Sequence, residues 1–169
     1  MTLNLTKSYN DILDLIGMSE KQAENSLRRI FIRDILLNKN FRFKGKPIYP
    51  TPDKDGDIKM EELFFHLRTV IVDKTLRKRS YDIIRSERLH WLKFHIDEKK
   101  SNNMLIFSVD ELEGIRTYIY DEIEKYVIVL EPLRDQSSYY LLSAYKVLGK
   151  DAQRDKFRKK YKRRLPDLY

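Results

Sequence analysis

Beyond about residue 100 the apolar residues of this chain stop recurring every three or four positions and begin to alternate, and no other feature restricts the fold as much. Met104–Val109, Arg116–Tyr120, Tyr126–Glu131 and Tyr139–Val147 are rich in Ile, Val, Tyr and Phe, with short polar or turn-forming connections between them. Such runs read as β-strands. Connections this short hold no crossover helix, so consecutive strands should pair antiparallel as a four-stranded β-meander. The predicted class is α+β: N-terminal helices, the meander, and a basic C-terminal helix from about Ala152 to Tyr161. No repeat or low-complexity linker divides the chain. Residues 1–72 are expected as a helical region and 73–169 as an α+β unit, as two parts or as one continuous compact body.

The helices are predicted from their punctuation. Ser8 is a plausible N-cap and Gly17 a stop for a short helix carrying Ile12, Leu13, Leu15 and Ile16. Ser19 with Gln22 forms a capping-box pattern ahead of Ala23, Leu27, Ile30, Phe31 and Ile35. Phe41–Pro50 alternates apolar and basic residues around Gly45, as in a hairpin or extended segment. From Asp57, as N-cap, one helical face is expected to gather Met60, Leu63, Phe64, Leu67 and Val70/Ile71. A further helix is expected over roughly 85–97, with Leu89, Leu92 and Ile96 facing the core.

Charge is unevenly placed. The 169 residues hold 34 Lys+Arg against 26 Asp+Glu, a formal net charge of +8. Lys150, Arg154, Lys156, Arg158, Lys159, Lys160, Lys162, Arg163 and Arg164 crowd the last twenty residues against Asp151, Asp155 and Asp167. Lys74, Arg77, Lys78, Arg79, Arg85 and Arg88 form a second basic run. Two such clusters attract a polyanion, with strong salt dependence through counterion release. They also serve simply as solvated, solubilising surface.

Several functional classes drop out. With no cysteine there is no disulfide, thiolate zinc site, iron–sulfur cluster or cysteine nucleophile. Glycines at 17, 45, 56, 114 and 149 form no phosphate-cradling loop. His66, His90 and His95 lack zinc-ligand spacing. Thr51–Glu62 imitates a calcium loop, with Asp53, Asp55 and Asp57 around Gly56, Ile58 at the apolar position and Glu62 at the bidentate one. Its first position, however, is Thr51, Pro52 follows, and no entering helix precedes it. An Asp-rich turn capping the next helix is the simpler reading. No cofactor or metal is therefore expected. No apolar run suits a signal peptide or a membrane span, so the cytoplasm is the expected compartment and a membrane is not an expected partner.

The richest chemistry lies in Arg85–Asp97, RSERLHWLKFHID. On a helix Arg88 and His95 are nearly in line at the edge of the buried stripe, whereas His90, Lys93 and Asp97 point away from the core. On the last strand Tyr139, Leu141, Ser143, Tyr145 and Val147 alternate with Tyr140, Leu142, Ala144, Lys146 and Leu148; Arg116, Tyr118 and Tyr120 share a face of theirs. A sheet surface of tyrosines, serine and arginine suits RNA, because rings stack on unpaired bases while arginine and hydroxyls meet phosphate and ribose. Ordinary sheet packing accounts for the same residues.

The segments RLHWLKFHI and YYLLSAY, on this order of elements, resemble the barnase/EndoU/colicin/RelE-like superfamily of metal-independent ribonucleases, especially its phage- and toxin-associated branches. The likeness spans about residues 80–150 and rests on Lys93, His95 and Ile96 and on Ser143, Ala144 and Tyr145. It lacks the Thr at 143 and the Pro after the histidine that often occur there. The resemblance implies an endoribonuclease leaving 2′,3′-cyclic phosphate ends, since RNA supplies its own nucleophile and the protein need only supply a base, an acid and cations. It implies His95 as base or acid, Arg88, Lys93 and Arg116 as cations, and Ser143 and Tyr145 as phosphate-orienting or proton-transfer groups. Glu131, Tyr145 and His90 stay open as the second proton-transfer group. Lys156, Arg158, Lys159, Lys160, Lys162, Arg163 and Arg164 would bind RNA, and a neutralising antitoxin or immunity protein would accompany a toxin. The alternative is a non-catalytic RNA-binding or protein-interaction module.

Overall fold

A computed structural model describes residues 3–57 and 59–169. Residues 8–17 are not helical: Leu13 and Leu15 are buried while Ile12 and Ile16 are exposed. That is a period of two, so the segment runs extended, and Leu13 donates its amide to Glu87 O at 2.8 Å. Four apolar residues within five positions fit either period, and so short a segment does not repay helix nucleation. The capping box forms as expected. Ser19 Oγ accepts from Gln22 N at 3.2 Å, Gln22 Oε1 accepts from Ser19 N at 2.8 Å, and α1 (Glu20–Phe31) follows, burying Ala23, Leu27, Ile30 and Phe31. A π-helical turn over Ile32–Leu36 adds Ile35 to that face.

The hairpin expected around Gly45 is β1 (Arg42–Phe43) and β2 (Lys46–Pro50), turned by Lys44 and Gly45 at φ 50° and 79°. Positive φ at both central residues is the geometry that matches strand twist. In the acidic loop Asp53 Oδ1 accepts the amides of Asp55 and Asp57, each at 2.9 Å, and its other oxygen pairs with Lys59 at 2.7 Å. The helix α2 (Met60–Arg68) begins there, with Lys59 rather than Asp57 at the N-cap and no side-chain cap. Ile58 lies outside the described residues. Val70 and Ile71 do not extend α2. Thr69 begins β3 (Thr69–Asp73), which pairs antiparallel with β4 (Lys78–Tyr81) as a separate hairpin. The β-branched run TVIV favours a strand over another helical turn.

The helix expected over 85–97 is interrupted. Asp82 caps the short α3 (Ile83–Ser86) through Arg85 N at 3.0 Å, a turn follows, and α4 (Trp91–Ile96) resumes. Leu89, Leu92 and Ile96 are buried as expected. The turn, however, swings His90 inward, where Nε2 lies 2.9 Å from Ser8 O and 3.0 Å from Asp11 O.

Four long strands come next: β5 (Met104–Glu111), β6 (Gly114–Asp121), β7 (Tyr126–Pro132) and β8 (Tyr139–Lys146), each antiparallel to its predecessor. The sheet is larger than four strands. β2 adds parallel to β8, Ile48 opposite Tyr139, giving the order β1-β2-β8-β7-β6-β5. The fold is mixed α+β. The basic C-terminal segment forms α5 (Gly149–Gln153) and α6 (Lys156–Lys162), broken at Asp155 with φ 49°. No helix among the described residues is long and apolar enough to cross a membrane.

Each face of the sheet carries its own core. One gathers Leu27, Phe43, Leu67, Leu92, Ile128 and Tyr139, so it draws on both sides of position 72. The other packs Phe107, Tyr118, Tyr120 and Val127 beneath Phe157 of α6. Tyr118 and Tyr120 are therefore not an open stacking surface: their rings lie 5.5 and 5.2 Å from that of Phe157. The two faces of β8 also differ from strict alternation. Leu130 pairs with Leu141 but Val129 with Ser143, leaving Leu142 as an extra residue in a β-bulge. Tyr139, Leu141 and Ala144 consequently face the first core, and Ser143 and Tyr145 turn to the opposite side.

Candidate anion-binding site on the open edge of the sheet

β2 covers β8 only as far as Leu141, so beyond the bulge β8 has no strand partner on its outer edge among the described residues. α2 and α3 pack there instead. With the β3–β4 hairpin they border an open cleft of about 320 Å³ lined by His66, Arg79, Arg85, Leu142 and Ser143, with Val70 and Ile71 as its apolar wall.

The arginines are fixed by the carbonyl end of α2, whose last C=O groups lack helical partners. Arg85 Nη1 donates to His66 O at 3.2 Å and to Thr69 O at 2.9 Å. Arg79 donates through Nη2 to the same Thr69 O at 2.9 Å and through Nε to Thr69 Oγ1 at 2.8 Å. Arg85 also lies over the Tyr145 ring, 5.3 Å from its centroid, and its Nε is buried without a partner. Arg28, Arg33, Arg68, Arg88, Arg116, Arg158 and Arg163 each reach a carboxylate. Among the described residues Arg79 and Arg85 make no such ion pair; two guanidiniums share one carbonyl oxygen beside an imidazole.

The electrostatics register that crowding. Burial and then Arg85 hold Arg79 below its usual value. Burial likewise lowers Arg85, with Asp82 opposing. His66 is pushed below its ordinary value by burial and by Arg79, with Glu62 opposing and Arg85 adding to the shift. Burial raises the Tyr145 phenol, which keeps it protonated at neutral pH. A pocket in which cations destabilise one another is stabilised by a bound anion.

Of the residues expected to form a site, only Ser143 and Tyr145 reach this region. His95 is 2% accessible and does not stand at the edge of the buried face. Its Nδ1 lies 2.8 Å from Trp91 O and its Nε2 3.0 Å from Asp121 Oδ2, on the sheet face opposite Ser143 and Tyr145. Asp121 also accepts from Lys100 at 2.8 Å and from the Tyr9 hydroxyl at 2.5 Å. Burial alone would raise this carboxyl, yet the hydrogen bonds from His95, Lys100 and Tyr9 hold it far below the usual range. Lys93 pairs with Asp97. Arg88 pairs with Glu87, donates to Ile84 O at 2.8 Å and lies 5.2 Å over Trp91. Arg116 pairs with Glu131 at 2.8 Å beside a separate cavity of about 420 Å³ near Tyr169.

The tail cations are partly spent on their own fold. Lys156 pairs with Asp151, Arg158 with Glu122, and Lys160 and Arg163 with Glu111. Arg164 stacks 4.1 Å from the Tyr161 centroid, while Lys159 and Lys162 are exposed. No group of three or more His, Asp or Glu among the described residues is placed to hold a metal ion.

His66, Arg79 and Arg85 were the residues that sequence reasoning missed. The two arginines were visible as members of a basic run, but what assembles them is the β3–β4 hairpin, legible only as the β-branched TVIV before a polar DKTLRKR turn. The chain matches no protein-family model, and no curated protein or solved structure is significantly similar to it.

Proposed function

We propose that this chain is a metal-independent endoribonuclease that cleaves RNA to 2′,3′-cyclic phosphate ends, with its phosphate site in the pocket on the outer edge of β8. The observation that carries this reading is the convergence of Arg79 and Arg85, neither paired to a carboxylate, on Ser143 and His66. The guanidiniums and the Ser143 hydroxyl are donors suited to the non-bridging oxygens of a phosphodiester, where negative charge grows in the transition state. His66, kept largely neutral at pH 7, is the general base for the ribose 2′-hydroxyl. This moves the proton-transfer role from His95 to His66. A role as a toxin or phage-associated effector with a neutralising partner extends the same proposal.

A non-catalytic RNA-binding module is the second reading, favoured by one observation: with His95 buried against Asp121, the pocket holds a single imidazole. Incubation of wild-type and His66→Ala protein with total RNA and tRNA in EDTA, followed by mapping of the ends, separates the two. Cyclic-phosphate ends made by wild type, and lost in His66→Ala while RNA affinity is kept, support the enzyme. Intact RNA in both, with binding that salt abolishes, supports the module. Neither cleavage nor binding refutes both.

A further inference from the structure

The β3–β4 hairpin is a two-stranded sheet of its own, and every residue of its turn from Lys74 to Lys78 is exposed. Its apolar residues point the wrong way for packing. Ile71 pairs with Arg79 and Asp73 with Lys78, so Val72 is an extra residue that the ladder does not use. Val72 and Leu76 are 58% and 76% accessible, and Ile71 is exposed beside them. The turn itself sets this display. Asp73 Oδ1 accepts the Leu76 amide at 2.9 Å, and Arg77 closes the turn at φ 52°, so the backbone is fixed on both sides of Leu76. Lys74, Arg77 and Lys78 stand around it, in no ion pair among the described residues, and Asp73 is the only carboxylate of the hairpin. A single exposed leucine is ordinary surface; an apolar tip held out between unpaired cations is a patch with a defined complement.

The charge asks for a polyanion, and the tip asks for one that shows an apolar face between its charges. The end of an RNA helix does both, because the face of the closing base pair lies between two phosphate strands. Unpaired bases are ordinarily gripped by aromatic rings, and Val70–Ser80 contains none. Aliphatic side chains act instead as wedges against base steps. The hairpin is also continuous with the cation cleft, since Ile71 and Arg79, facing each other across it, both line that cleft. Leu76 lies three residues before Arg79, a reach of at most roughly 10 Å. Resting on the reading of the cleft as a phosphate site, we infer that the β3–β4 hairpin docks on the end of an RNA helix, with Leu76 against the closing base pair and Lys74, Arg77 and Lys78 on the flanking phosphates. A strand that leaves the helix unpaired then enters the cleft at Arg79. The hairpin thereby selects structured RNA and directs the reaction to unpaired sequence beside a stem, and Leu76 is its specificity-determining residue.

The test is equilibrium binding of two labelled RNAs of equal length, a stem–loop with an unpaired 3′ tail and oligouridylate, to wild-type and Leu76→Ser protein. Both RNAs carry 2′-O-methyl ribose, which removes the nucleophile and keeps them intact during the measurement. Inorganic phosphate, titrated against the ring signals of His66, reads the cleft separately. The expected result is a stem–loop bound more tightly than oligouridylate by wild type. In Leu76→Ser that preference should fall by about tenfold, the scale of burying one leucine side chain, while the affinity for oligouridylate and the melting temperature stay as in wild type. Equal binding of the two RNAs, or a stem preference that Leu76→Ser leaves intact, would overturn the role of the hairpin, and phosphate binding at His66 would still leave the cleft reading standing. Leu76-dependent binding to phosphatidylserine vesicles, with no preference for the stem–loop, would overturn it in favour of a membrane surface. If phosphate leaves His66 unshifted and neither RNA binds, the phosphate reading falls and the docking falls with it.

Discussion

Replacing His95 with alanine should damage the fold and spare the chemistry. The side chains of His95 and Asp121 are 1% and 0% accessible, and the imidazole is one of three side chains that donate to that carboxylate. Removing one partner of a buried pair costs about 3–5 kcal/mol, because the charge left behind can neither be solvated nor move away. Lys100 and Tyr9 remain on Asp121, as do the amides of Ile123 and Glu124, so the lower end applies. A loss of about 3 kcal/mol in a chain of this length lowers Tm by roughly 6–12 °C. Thermal unfolding followed by circular dichroism measures it, with RNA cleavage assayed in parallel at a temperature where both proteins are folded. The expected variant melts early and, per folded molecule, cleaves as wild type does. A variant with wild-type Tm and no cleavage would refute the reasoning and return His95 to the reacting site.

Three further outcomes are expected. Phe157→Ala removes the fully buried ring that closes the second core over Tyr118, Tyr120 and Tyr145, and should cost about 3–5 kcal/mol in urea unfolding; a loss under about 1 kcal/mol would mean that α6 does not hold that core. The Asp121 carboxyl is held below its unfolded value of about 3.9, so its contribution is complete above about pH 4 and drains away as pH falls through the folded value. Asp121→Asn should therefore be less stable at neutral pH and lose less on acidification, and parallel stability–pH curves for the two proteins would contradict this. If His66 is the base, cleavage should rise with pH along a limb centred below the ordinary imidazole value of about 6.5, and Arg79→Gln should move that limb upward; a limb that stays put would dissociate Arg79 from His66.

Much of the architecture was legible because period, caps and turn residues agree along the chain. The Ser19–Gln22 box, the turn at Lys44–Gly45 and the four late strands each combine a periodic apolar pattern with a matching terminator. The departures occur where one local signal fits two outcomes. Ile12–Ile16 suits either period over so short a span, and its conformation is set by the Leu13 amide meeting Glu87 O, a partner far along the chain. The same turn that supplies Glu87 O separates α3 from α4 and turns His90 inward, so a helical wheel drawn through 85–97 misplaces it. The pairing of β2 with β8 joins residues about ninety positions apart, and nothing local specifies a partner at that distance.

The candidate site was harder to read for a related reason. Its imidazole comes from α2, its guanidiniums from β4 and α3, and its hydroxyl from β8, so no single helix or strand pattern contains it. A run of basic residues is ordinarily a solvated surface. What distinguishes Arg79 and Arg85 is where their hydrogen bonds go, to carbonyl groups at the end of α2 that no α-helix satisfies internally. A carbonyl positions a guanidinium without neutralising it, whereas the carboxylates that hold Arg116 and Arg158 do both.

The bulge at Leu142 explains why such a pocket exists at this place on the sheet. With regular pairing, Ser143 and Tyr145 would follow Tyr139 and Leu141 into the first core, where a buried serine hydroxyl would require its own partner. One extra residue reverses them, so that Ser143 meets the arginines and Tyr145 lies under Arg85. It also marks the point past which β2 no longer covers β8, leaving that stretch of edge to α2, α3 and the β3–β4 hairpin. Edges left open in this way invite pairing with another chain, and filling them with helices and a cationic hairpin blocks it. The features that protect the edge are the ones that gather charge upon it. Protection of the sheet edge and the proposed binding of an anion would therefore draw on the same few side chains.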